Sequence, residues 1–202
     1  MSIRVAYEEV KKNVKQAFLN LGLTEEQAET CATIHTQSSA DGVESHGLNR
    51  IPRFVEYVQK GWINLEGKPQ LVGAKGAVEN YDGQLGIGIT NALFCAERAA
   101  ELAKEHGIGC VALKNTTHWM RGGTYAWKMA EAGFMGMSWI NTESCMPLWG
   151  KRRAKRWKQS ILYGNSKRGW PYCARYGDEP VCLWKAGCIP SGRKAASLSG
   201  RL

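Results

Sequence analysis

The sequence predicts an α/β fold, a helical N-terminal segment leading into a mixed α/β domain. Three amphipathic patterns crowd the first 61 residues, and from about residue 77 to residue 140 short strand-like runs alternate with helical ones. Residues 8–20 set Val10, Val14, Ala17, Phe18 and Leu21 on one face at helical spacing. Thr24 followed by Gln27 reads as a capping box opening a second helix that runs to about Ser39. A third helix follows over residues 50–61, with Ile51, Phe54, Val55 and Val58 inward and Gly61 as its stop. Beyond it come a short strand and turn over 77–83, a helix over 90–106, a buried strand over 107–114, a helix over 125–132 and a strand over 134–140. Parallel pairing is one option for such an order. The chain thus divides into a helical lead-in, 1–61, a catalytic-sized α/β part, 62–150, and a basic tail, 151–202.

The tail is set apart by charge. Residues 1–150 carry 14 Lys/Arg against 16 Asp/Glu, whereas 151–202 carry 13 against 2. The formal charge of +9 therefore belongs wholly to the tail, and the body is slightly acidic. Trp157, Trp170 and Trp184 stand among Lys, Arg, Gly and Pro with no helical or alternating spacing, so this segment has no face to bury consistently. One reading is a nucleic-acid-binding patch built on Lys151-Arg152-Arg153. No apolar run is long enough to span a bilayer and no signal-peptide pattern opens the chain, so a cytoplasmic location without membrane partners is expected. Seven cysteines without a Cys-x-x-Cys pair point to free thiols, buried at positions 31, 95, 110 and 145. The four histidines have no short-range ligand spacing, and no metal site is expected.

Two segments concentrate side chains able to do chemistry on an anionic carbonyl compound. Ser45-His46-Gly47 lies at the junction of two predicted helices, where a loop presents side chains to a cleft. Histidine titrates near neutrality, so His46 can give a proton to a carbonyl oxygen or take one from a hydroxyl. A hydrogen-bonded surface histidine is the plain alternative. Arg50 and Arg53 follow one turn apart, and a guanidinium fork suits a carboxylate through two parallel hydrogen bonds; a solvated face explains them equally well. His118 follows the predicted buried strand at its carboxyl end, where α/β proteins gather ligands, and Arg121 beside Gly122-Gly123 adds a possible anion contact. Gly86-Ile87-Gly88 lacks the third glycine of a dinucleotide loop and is read as shaping the start of the next helix.

Ser45-His46-Gly47 with Arg50 and Arg53-Phe54, Gly107-Ile108-Gly109, Asn115-x-x-His118, and Asn141 before Met146-Pro147 together resemble the malate/L-lactate dehydrogenase family, which does not use a Rossmann domain. The likeness covers residues 1 to about 150, so the family's mixed α/β domain begins here and is incomplete. It implies reduction of a small 2-oxo acid with NADH or NADPH in a homodimer. His46 would be the proton donor, with Ser45, Arg50 and His118 lining the substrate pocket. Most members carry a Phe-Gly pair where Trp119 and Met120 stand.

After the Trp-Gly pair matched by Trp149-Gly150, members continue with a glycine-asparagine segment and a strand reading roughly Ile-Val-Leu-Asp-Met-Ala-Met-Ser, which helps hold the cofactor. None of that appears in 151–202. Reverse translation of the tail, read one nucleotide later, permits both. The tail is therefore expected to be out of frame and without a native fold, the cofactor site largely missing and the chain inactive as it stands.

Overall fold

The computed structural model describes residues 5–140 with their side chains, and the backbone of 141, 146–147, 154–156, 159–167 and 170–176. Two antiparallel-packed helices, α1 (Tyr7–Asn20) and α2 (Glu25–Ala40), open the chain. The expected capping box is formed: Gln27 N–H donates to Thr24 Oγ1 at 3.3 Å, and the Gln27 side chain accepts from Thr24 N–H at 2.9 Å. Such a cap contributes about 1 kcal/mol. Two single turns of 3-10 helix, Glu44–His46 and Leu48–Arg50, then lead into α3 (Ile51–Gln59). Pro52 in the first turn of α3 sacrifices no needed N–H, and the chain leaves the helix through Gly61 at φ +69°.

The helical core is fixed largely by the faces read from the sequence, except that Ala17, expected inward, is exposed. Phe18 and Phe54 are buried with ring centroids 5.4 Å apart, edge to face, and Val14, Leu21, Ile51 and Val58 pack around them. Burial of one such phenylalanine is worth roughly 1.5–3 kcal/mol in transfer from water.

The α/β part begins with β1 (Gln70–Lys75) antiparallel to β2 (Val78–Gly86); β2 then pairs parallel with β3 (Cys110–Thr116) through the crossover helix α4 (Gly88–His106). The sheet is thus mixed. β1 has no alternation legible in its Gln-Leu-Val-Gly-Ala-Lys run and is an addition to the expected elements. β3 differs from expectation as well: it is an edge strand of the order β1-β2-β3, and Cys110, Ala112, Lys114 and Asn115 are exposed instead of buried. Its apolar run is therefore not a buried central strand. Cys110 is an exposed thiol, Cys95 half-buried and Cys31 fully buried; burial pushes the Cys31 thiol up to about 12. Cys145 lies outside the described residues.

α4 ends on Gly107 in the left-handed region, with Lys104 and His106 in its last turn opposing the helix dipole. α5 (Gly123–Glu131) and β4 (Gly136–Asn141) follow, then β5 (Met146–Pro147), β6 (Ala154–Arg156), β7 (Gln159–Lys167) and β8 (Trp170–Tyr176). β4, β7 and β8 form an antiparallel sheet, and β5 pairs with β6. The tail's side-chain pattern does not foreshadow these strands. Ladder hydrogen bonds are made by main chain, and the edge of β4 offers unpaired groups to any extended neighbour. The Lys151-Arg152-Arg153 run, Trp157 and residues 177–202, including Cys182, Trp184 and Cys188, lie outside the described residues.

One ionic cluster ties α4 to the sheet. Glu79, nearly buried on β2, accepts from Arg98 Nη2 at 2.7 Å, Arg98 Nε at 2.8 Å and Tyr81 O–H at 2.7 Å. Hydrogen bonds from Arg98 and then Tyr81 hold its carboxyl down at about 2. A carboxyl with a depressed folded-state value stabilises fully above its unfolded value and loses that contribution as pH falls toward the folded one. Thermal melts between pH 5 and pH 2 should therefore show a larger loss of stability in the unsubstituted protein than in Glu79→Gln, which is already weakened at neutral pH; parallel pH profiles for the two proteins would remove this role from Glu79.

Candidate active site

The first half of the site is a turn seated on α2. Gly47 carries it: a Cβ there would stand 2.1 Å from Ser39 Oγ and 2.8 Å from Ser39 N, so only glycine lets the turn approach the helix this closely. Ser39 Oγ accepts from Leu48 N–H at 2.9 Å, and His35 Nδ1 lies 3.0 Å from the Gly47 carbonyl oxygen. Since a carbonyl can only accept, His35 carries a proton on Nδ1. Its ring is fully buried between Phe18 and Phe54, and that burial pushes its pKa below the ordinary histidine value. His35 and Ser39 are functional supports that the sequence alone does not single out. The available signal was their spacing, i and i+4 on one helix, opposite a Ser-His-Gly turn.

On this seat the turn presents Ser45, His46 and Arg50. Ser45 Oγ is 2.8 Å from His46 Nδ1, and Arg50 Nε donates to the Ser45 carbonyl at 2.7 Å. These contacts orient the His46 ring through its Nδ1 side and draw the Arg50 side chain back across the turn. Arg53, one turn further on, lies over the Tyr57 ring at 5.8 Å.

The second half is the loop after β3. Asn115, at φ +52°, donates to Asp82 Oδ2 at 2.7 Å. Thr117 Oγ1 donates to the Gly86 carbonyl at 2.8 Å and accepts from Gly88 N–H at 2.9 Å. Gly88 is as constrained as Gly47: its missing Cβ would lie 2.2 Å from the Thr117 carbonyl oxygen and 2.5 Å from that of His118. Asn91 on α4 donates to Gly83 O at 3.0 Å and to Thr116 Oγ1 at 3.1 Å. The loop is thereby locked to the N-terminus of α4, as the reading of Gly86-Ile87-Gly88 anticipated for helix shaping. That same packing fills the faces of Gly86 and Gly88 with the backbone of Gly67, Thr117 and His118, so the pair is no cradle for a pyrophosphate.

The two halves meet at the imidazoles. The His46 and His118 ring centroids are 5.6 Å apart at 35°. Met120 N–H donates to His118 Nδ1 at 2.9 Å, so the neutral His118 ring bears its proton on Nε2. Part of this ring reaches solvent, yet the protein atoms packed around the rest, then the charges of Arg50 and Arg53 and the neighbouring His35, hold its pKa below the usual value. A neutral donor beside two cations is suited to a carboxylate or carbonyl oxygen. Trp119 stacks on Tyr125 at 5.3 Å, and the Tyr125 hydroxyl donates to the Trp119 carbonyl.

Arg121, expected as a further anion contact, is engaged elsewhere. Its Nη1 pairs with Asp41 Oδ2, its guanidinium lies 5.4 Å from the Trp127 ring, and the side chain is 12% exposed. The structure therefore brings Ser45, His46, Arg50 and His118 together and sets Arg121 behind them. A separate cavity of about 480 Å³ over β1, β2 and β3, lined by Val72, Asn80, Tyr81 and Leu113 among others, contains no histidine, and its cation, Lys114, lies 3.8 Å from Asp82 Oδ2. Among the described residues, no three His, Cys, Asp or Glu side chains could hold a metal ion, and no helix is long and apolar enough to cross a membrane.

A helical lead-in feeding a mixed sheet, with a Ser-His-Gly turn opposed to a second histidine, makes this an α/β protein with two facing imidazoles. Residues 5–157 match the family model described as malate/L-lactate dehydrogenase, and the chain belongs to that family. It is 42% identical over 153 residues to the 2,3-diketo-L-gulonate reductases of Klebsiella pneumoniae (strain 342) and of Haemophilus influenzae, a match covering 76% of this chain and 46% of each relative. The chain thus spans about half the length of the curated relatives it matches. Among solved structures it is similar to malate dehydrogenase from Pyrococcus horikoshii OT3, with a TM-score of 0.81 at 27% identity over 86% of this chain and 50% of that one. Sulfolactate dehydrogenase from Methanocaldococcus jannaschii gives a TM-score of 0.80 at 25% identity, covering 86% of this chain and 51% of that one.

Two measurements probe this geometry. Gly47→Ala forces a methyl group into Ser39 and should cost about 1–3 kcal/mol in urea unfolding, the usual range for overpacking; an unchanged midpoint would show that the turn does not sit on α2. In proton NMR, the His118 C2–H should titrate below the ordinary histidine value, and Arg50→Gln should raise its midpoint, because removing a neighbouring cation favours the charged imidazole. A midpoint that falls or stays fixed contradicts this assignment.

Proposed function

We propose that the gene, read in the frame of its relatives, encodes a cytoplasmic, homodimeric 2-oxo acid reductase using NADH or NADPH, with a substrate of the 2,3-diketo-L-gulonate type. The observation that carries the reading is the Ser45–His46–Arg50 turn facing His118 across 5.6 Å. His46 acts as the acid. Were hydride supplied at the substrate carbonyl carbon, His46 would give a proton to the carbonyl oxygen, leaving a hydroxy acid, and would take it back from the hydroxyl in oxidation. Ser45 holds the His46 ring in the required orientation. Arg50 meets the substrate carboxylate, and His118 donates through Nε2 to an oxygen of the same substrate. Substrate binding is assigned to Ser45, Arg50 and His118. Arg121 belongs to the same wall, with its guanidinium turned to Asp41.

The nicotinamide cofactor is the hydride source in this reading. The glycine pair that resembles a dinucleotide loop does not fit its pyrophosphate, because both glycines have backbone packed where a Cβ would stand. The present chain keeps the acid and anion-binding half of the reaction and is expected to be inactive. We infer that residues from about 151 onward are read out of frame. In support, the charge changes sign at residue 151, the family match stops a few residues further on at 157, and the shifted reading permits the family's pattern. The nucleic-acid reading of the tail has no comparable support.

Sequencing the gene across the codons for Trp149 to Trp157 tests the frame, and an uninterrupted frame there removes this explanation of the tail. The frame-corrected protein should oxidise NADH or NADPH with 2,3-diketo-L-gulonate or a simpler 2-oxo acid. His46→Asn should lower kcat by about two to four orders of magnitude with the fold retained by circular dichroism. Unchanged turnover in that variant would take the acid's role from His46.

A further inference from the structure

We propose that the Asp41–Arg121 ion pair is a staple that sets the His46 and His118 imidazoles at their working separation, which makes Arg121 a positioning residue and not a substrate ligand. The inference rests on the functional reading above only for the word working; the staple itself is a matter of geometry. The two halves of the site come from segments about seventy residues apart, and each is rigid within itself. One is seated on α2 through Gly47 and Ser39, the other locked to α4 through Thr117 and Gly88. The halves share the apolar core, where Met120 and Ile89 pack with Ala32 and Ile34 of α2, but neither of these polar sets links one half to the other.

Asp41 and Arg121 do. Asp41 is the C-cap of α2, five residues before His46, and Arg121 lies three residues after His118. Both carboxylate oxygens are used: Oδ1 accepts from Gln37 Nε2 at 2.7 Å, and Oδ2 pairs with Arg121 Nη1. The guanidinium is held from its other side by the Trp127 ring at 5.4 Å, and its side chain is 12% exposed against 27% for Asp41. A partly buried pair with both partners oriented by third groups keeps one geometry, whereas a solvated pair samples many. The charges that act on His118 are those of Arg50, Arg53 and His35, consistent with an Arg121 guanidinium turned away from the imidazoles. An arginine so held has little freedom to close on a substrate carboxylate.

The test uses the 202-residue chain and needs no turnover. In proton NMR, the ring protons of His46 and His118 should show a mutual Overhauser effect. Asp41→Asn, which keeps the shape and removes the charge, and Arg121→Met should each lose it and shift the His118 titration midpoint; Arg121→Lys should keep both. An effect that persists at full intensity in Asp41→Asn and Arg121→Met overturns the staple. If Arg121→Met unfolds by circular dichroism, the contrast between Asp41→Asn and Arg121→Lys decides: loss in the first with retention in the second supports it, and the same outcome in both overturns it. Oxamate, a carboxylate mimic of a 2-oxo acid, separates the two readings. Should oxamate leave the His46 and His118 resonances unmoved in the unsubstituted chain while the Overhauser pattern holds, the functional reading fails and the staple stands. Should Arg121→Lys keep the Overhauser effect yet lose the oxamate response, Arg121 is a ligand and the positioning role falls.

Discussion

The site depends on a contact in which a side chain is missing. Gly47 lies against Ser39 so closely that a methyl group would stand 2.1 Å from its hydroxyl oxygen, and the Ser45–His46 turn has its position because of that approach. The close seat also brings the Gly47 carbonyl to His35 Nδ1 and the Leu48 N–H to Ser39 Oγ. A buried polar group left unpaired costs of the order of 1–3 kcal/mol. The turn is therefore fixed by packing and by the requirement that these groups find each other. Gly88 repeats the device on the other side, where α4 starts against the Thr117 and His118 carbonyls. Two glycines of unlike local sequence thus do the same job, each required by a close backbone approach.

Much of the scaffold was legible because its signals are local. The Thr24–Gln27 capping box, the stop at Gly61 and the inward faces of α1 and α3 depend on neighbours within a turn or two. The parallel pairing of β2 with β3 was open in the sequence and follows once α4 is long enough to cross over. β1 escaped notice because Gln70–Lys75 lacks alternation, and β3 read as buried because an apolar run does not say whether a strand has one neighbour or two.

The residues of the candidate site stood out in the sequence, whereas those that support them did not. His46, Arg50 and His118 carry chemical types that invite attention, and the structure gathers them. His35, Ser39, Thr117, Asn91 and Asp41 support them across separations from nine to eighty residues, and such pairings leave no periodic trace. Arg121 shows the converse difficulty. An arginine next to a histidine and two glycines looks like an anion contact until its acidic partner, distant in sequence, is seen.

The loop that carries His118 holds a further constraint in Met120, which adopts φ +63°. A side chain in the left-handed region costs roughly 1–2 kcal/mol. Met120 is 6% exposed and packs into the core with Ile87 and Ile89, a burial worth about 1.5–3 kcal/mol, so the gain matches or exceeds the strain. Glycine at this position would relieve the strain, but it would lose the anchor and widen the unfolded ensemble. The Met120 N–H is the donor that fixes the His118 tautomer. Anchoring its side chain in the core therefore also fixes which nitrogen of His118 faces outward with a proton.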